Sequence, residues 1–109
     1  MPQREFDADL GRICTAWFGD RPLGIRSMPV SGFSGGRLAL VELRDVGESF
    51  VVKSFAPGTT RERAAWVHRF MLQARAAGVR EVPPLAVTRL GDTVAEDSTG
   101  RLWEAVGLV

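Results

Sequence analysis

Two features of this chain could do chemistry. One is a serine- and glycine-rich loop, Ser31-Gly32-Phe33-Ser34-Gly35-Gly36; the other is the chain's only lysine, Lys53, in the run Phe50-Val51-Val52-Lys53-Ser54-Phe55. A glycine hairpin lets backbone N–H groups come close to oxyanions, and a cation on the next strand can neutralise them. The loop lacks the Gly-Lys-Ser/Thr of a P-loop, and the spacing of Gly32, Gly35 and Gly36 is not the dinucleotide fingerprint. Both of those motifs also lead into a helix, whereas this loop joins strand to strand. Taken by itself it reads as a flexible hairpin. Lys53 shifts the balance. Alternation puts it on one face with Val51 and Phe55, opposite Phe50, Val52 and Ser54. A lysine between two large apolar residues needs either a route to water at a sheet edge or an anionic partner. The order of hairpin, lysine and capped helix favours phosphate binding.

The elements that must position these groups are legible as periodicities. Phe6, Leu10, Ile13, Cys14, Trp17 and Phe18 recur at helical spacing, predicting a helix from about Glu5 to Trp17. Cys14 falls on its apolar stripe and reads as a packing residue. Strands follow over Ile25–Val30, Leu38–Arg44 and Ser49–Phe55, with Asp45 to Glu48 as a hairpin turn. Thr59 followed by Glu62 reads as a capping box opening a helix that runs to about Ala77 and closes at Gly78. After Pro83-Pro84, strands are expected over Leu85–Arg89, Thr93–Glu96 and Leu102–Val109. The predicted fold class is α+β: an antiparallel sheet of about five strands, one helix packed on it and an additional N-terminal helix.

Composition bounds the possible functions. A chain of 109 residues, 45% hydrophobic and 25% charged, is one ordinary globular domain. Its net charge of +1 and its scattered arginines give no electrostatic case for nucleic acid or an anionic membrane. A single cysteine excludes an internal disulfide and a zinc–cysteine cluster; with no long apolar run or leader pattern, a cytoplasmic location is expected.

From Ser31 to Val109 the chain resembles the amino-terminal, ATP-binding lobe of aminoglycoside phosphotransferases and the related choline and homoserine kinase-like enzymes. The matching pieces are the glycine loop to Arg37, the Lys53 strand and the helix end Phe70 to Gly78. Val82-Pro83-Pro84-Leu85 and Gly100-Arg101-Leu102-Trp103-Glu104 complete the order. The resemblance implies a protein-kinase-like N-lobe over residues 23–109, preceded by a helix and turn over 1–22. It further implies that Ser34, Gly35 and Gly36 cover the phosphates of ATP, that Lys53 pairs with the α- and β-phosphates, and that Glu104 to Val109 approaches the adenine hinge. Magnesium would accompany the nucleotide, with its ligands in a catalytic lobe expected to be absent here.

Departures from the family pattern set further expectations. The helix glutamate that orients the family's lysine aligns with Val67, beside His68, while Glu62 lies elsewhere on the helix and has a capping role. Val67 is expected on the inner helix face with Phe70, Met71 and Ala74. His68 reads as partly buried packing, with contact to Lys53 or a phosphate as the other reading. His68-Arg69-Phe70 is not the family's His-x-Asp motif, and Asp92 and Asp97 sit in turns, so no catalytic residue is assigned. The expected role is a nucleotide-binding lobe of a small-molecule kinase, inactive alone; the alternative is a non-catalytic binding module that keeps the fold. Trp103, Val106, Leu108 and Val109 predict an apolar C-terminal edge suited to self-association or to docking a second lobe.

Overall fold

The computed structural model describes residues 3–28 and 37–108. Helix α1 (Gln3–Phe18) is followed by strands β1 (Leu23–Met28), β2 (Leu38–Leu43) and β3 (Glu48–Ser54), helix α2 (Arg61–Ala76), and strands β4 (Ala95–Glu96) and β5 (Leu102–Gly107). The five strands form one antiparallel sheet in the order β1-β2-β3-β5-β4. The expected α+β class therefore holds. No helix among the described residues is long and apolar enough to cross a membrane.

Strand alternation sorts the sheet into two faces, and each receives a helix. Leu10, Ile13, Cys14, Trp17 and Phe18 of α1 pack on Ala39, Val41, Leu43, Val52, Ala95, Trp103 and Ala105, forming the main core. Phe18 and Phe50 meet there with ring centroids 5.0 Å apart. Cys14 is fully buried in this core, where burial pushes its thiol up to about 12, and it packs as its place on the α1 stripe predicts. On the opposite face a smaller cluster joins Ala64 of α2 to Val94, Leu102 and Phe55. The additional N-terminal helix thus covers one whole face of the sheet and closes the main core.

Local chemistry accounts for the boundaries. Gly47, at φ +75°, lets the β2–β3 turn close with its N–H on Leu43 O at 2.7 Å. The N-cap of α2 is Thr60, not Thr59: its hydroxyl accepts from Arg63 N–H at 3.1 Å, while the Thr59 hydroxyl donates to Ala56 O. With Arg63 at the third helical position the reciprocal capping box does not form. Glu62 remains favourable in the first turn through the helix dipole.

The expected Leu85–Arg89 strand is reduced to a single bridge between Leu85 and Val106, with Ala86 N–H on Ala105 O and Gly107 N–H on Pro84 O. Pro83 and Pro84 have no N–H to donate, so a regular ladder cannot extend through them. The 84–86 segment and β4 lie along the same side of β5, with residues 87–94 looping out between them. β5 is consequently an interior strand. Trp103 is 1% exposed and Val106 is also buried, so the expected apolar C-terminal edge is absent, with Leu108 alone exposed among its described members.

Asp97 organises the β4–β5 turn. Its Oδ1 accepts from Thr99 N–H, Thr99 Oγ1 and Arg101 N–H, and its Oδ2 accepts from the Trp103 indole at 3.0 Å. Burial alone would raise this carboxyl, but those donors hold it below its usual range. Asp97→Ala is expected to lower stability by about 2–3 kcal/mol, the scale of hydrogen bonds to a charged group. Urea denaturation would measure it, and Asp97→Asn should recover part of the loss.

Candidate functional site

Lys53 projects from β3 on the α2 face, where its cross-strand neighbours are Leu38 on β2 and Glu104 on β5. Its ammonium lies 3.3 Å from Glu104 Oε2. The other carboxylate oxygen, Oε1, is 2.6 Å from His68 Nε2, and His68 Nδ1 is 2.7 Å from Thr93 Oγ1. Three elements and one loop therefore converge on a continuous chain from Lys53 through Glu104 and His68 to Thr93. The Lys53 side chain is 49% exposed, whereas those of Glu104 and His68 are almost wholly enclosed.

The chain of contacts sets its own proton arrangement. Burial would by itself raise the Glu104 carboxyl; the His68 hydrogen bond, the Lys53 charge and the His68 charge outweigh it and hold the group below its usual range. An ionised carboxylate only accepts, so His68 Nε2 must carry a hydrogen. The other ring nitrogen, Nδ1, is satisfied by the Thr93 hydroxyl, which can either donate to it or accept from it. His68 thereby fixes Glu104, and Glu104 holds the lysine through one oxygen. An ammonium has three N–H donors, which leaves Lys53 donors directed towards water.

This geometry corrects the expected environment of the lysine. Val67 is half-buried, but the buried residues of α2 are Ala64 and His68, and Phe70 is 63% exposed. The lysine's carboxylate comes from β5, not from the helix, and the helix contributes the histidine that braces it. Glu104 had a legible signal: a lone carboxylate inside Leu102-Trp103-Glu104-Ala105-Val106 must find a cation or several donors when buried. Thr93 had none, since its position depends on where the 87–94 loop returns to the sheet.

Ser34, Gly35 and Gly36 lie outside the described residues. The residue that joins their loop to β2 is held against β3. Arg37 N–H donates to Ser54 Oγ at 2.8 Å and Ser54 N–H to Arg37 O at 2.9 Å, beside the Leu38–Lys53 pair. Next to Lys53 on the same face, Leu40, Val51 and Val106 form a cross-strand apolar row, with Leu40 and Val51 only half-buried. A separate cavity of about 570 Å³ lies by the β4 edge, lined by Thr15, Thr88 and Arg89 among others, and touches none of Lys53, Glu104 or His68. Arg61 and Glu96 on its wall pair with each other at 3.2 Å. Among the described residues no three His, Cys, Asp or Glu side chains converge as a metal site would require.

No family model, curated protein or solved structure matches this chain.

Proposed function

We propose that this chain is the nucleotide-binding lobe of a small-molecule kinase, holding ATP with magnesium for phosphoryl transfer to a hydroxyl or amine. The observation that carries the reading is the register at Lys53. Leu38, which follows the glycine loop in sequence, pairs directly with the lysine, so the described end of that segment lies beside Lys53. Kinases of this general plan use a glycine-rich loop over the phosphates and a lysine on the third strand. Lys53 lies on β3, with α2 following it on the same face. The half-buried pair Leu40 and Val51, backed by buried Val106, supplies apolar contact for a base beside the charge that would meet the phosphates.

In this reading Lys53 pairs with the α- and β-phosphates, Glu104 orients it, and Ser34, Gly35 and Gly36 cover the phosphates with backbone donors. Glu104 also costs affinity, because the lysine must share itself between carboxylate and phosphate. The Lys53–Glu104 contact at 3.3 Å is thus the observation favouring the second reading, a binding module that keeps the fold without the chemistry.

Titration with MgATP, following the backbone amides of β2 and β3, separates the two. Binding with shifts centred on Leu38, Val51 and Lys53 is the expected result. Lys53→Ala should weaken it by about 1.5–3 kcal/mol, roughly 10- to 150-fold. Equal affinity in the variant would remove Lys53 from the site, and no binding at millimolar MgATP would leave the second reading.

A further inference from the structure

We propose that the outward face of α2 is a docking surface for an acidic peptide segment that also carries an apolar side chain; this is independent of the nucleotide reading. Directly opposite buried His68, Trp66 and Phe70 stand 55% and 63% exposed. They are not loose. Their rings stack at 6.4 Å between centroids and 18° between planes, and the Arg63 guanidinium lies 5.1 Å from the Trp66 ring. Arg63, Trp66 and Phe70 form one ladder along the helix, with Arg69 exposed beside it. Trp and Arg are the residue types that dominate binding hot spots, and a pre-stacked set loses less rotamer freedom on binding than separate side chains would.

Charge selects the occupant. Arg61 is paired with Glu96, and Arg75 donates to Val82 O. Arg63 and Arg69 remain on the outer face, against one carboxylate, Glu62. A guanidinium stacked on an indole still presents its N–H edge for a carboxylate. Two arginines offset by one glutamate suit a peptide with one or two carboxylates. They are too few for a phosphate lattice, where nucleic acid or an anionic bilayer draws on many cations. A second copy is also disfavoured. Antiparallel pairing about an axis at Trp66 would set Arg63 against the copy's Arg69.

Selection of random displayed peptides on the full chain, counter-selected on the Arg63→Glu/Arg69→Glu variant, tests the proposal. Enriched peptides should combine Asp or Glu with an aromatic or leucine residue. A synthetic representative should change the emission of Trp66, since Trp17 and Trp103 are buried. Charge reversal and Phe70→Ala should each weaken binding about tenfold or more, with near-ultraviolet circular dichroism showing the core intact. Failure to enrich, enrichment of basic peptides, or equal binding to the charge-reversed variant would each overturn it. So would a self-association removed by Phe70→Ala, or sedimentation with phosphatidylserine vesicles without peptide enrichment.

Discussion

Glu104→Ala is expected to lower folding stability by about 3–5 kcal/mol, the scale for breaking a buried charged pair. The loss arises mainly at His68. Lys53 reaches water and can resolvate, so its half-exposed ion pair contributes little. His68 is enclosed; without Glu104 its Nε2–H faces a void with no acceptor. For a domain whose whole stability is on the order of 5–15 kcal/mol, such a change should be obvious in a urea or thermal transition. Glu104→Gln keeps an oxygen for His68 and should cost much less, about 1–2 kcal/mol. A variant Glu104→Ala as stable as the parent would show that the Lys53–Glu104–His68 chain does not hold α2 to the sheet.

The same residue carries a pH dependence of defined sign. The folded state holds the Glu104 carboxyl below its usual value, so the fold favours the ionised form. Its contribution is fully present above the unfolded value, about 4.3. It is lost as pH falls from there through the lower folded value. Stability curves of the parent and Glu104→Gln should therefore differ most near neutrality and converge in acid. A gap that widens on acidification would contradict the ionised assignment.

Trp103→Ala should cost a similar amount, about 3–5 kcal/mol, as expected for a large aromatic removed from a packed core. Trp103 stands where the main core meets the β4–β5 turn: its ring packs in the α1 core and its indole donates to Asp97. Truncation leaves a cavity beneath α1 and removes one of the four donors to a turn carboxylate. Leu108→Ala, by contrast, should be nearly neutral because that side chain is largely in water. Denaturant midpoints of the two variants would check both. Similar small losses would mean that Trp103 lies at an exposed edge, as its apolar C-terminal setting suggested.

Much of the fold is written locally. The α1 stripe, the Gly47 hairpin, and the start of α2 to within one residue follow from periodicity and turn chemistry, which act over a few positions. Alternation likewise determined that Lys53 shares a face with Val51 and not with Val52, and the packing of Val52 under α1 agrees. The candidate lysine was therefore legible, and so was its need for either a route to water or a counter-charge; the structure supplies both. Where strands lie beside one another is a different kind of information. Glu104 meets Lys53 because β5 inserts between β3 and β4, and nothing within either strand specifies that neighbour. The same insertion turned an apparent apolar edge into the interior of the sheet and enclosed Trp103.

Helix α2 shows the limit most sharply. Its aromatic and aliphatic residues pointed to an inner face including Phe70, yet Phe70 is outside and a histidine is inside. Apolar periodicity weighs each residue by its transfer free energy alone. A histidine with both ring nitrogens satisfied, by Glu104 on one side and Thr93 on the other, can be buried at little cost. By itself the sequence determined the elements, their faces and the one lysine able to meet an anion. Only the tertiary structure decided that lysine's partner, because burying a charge becomes favourable only where distant strands bring its hydrogen-bonding groups together.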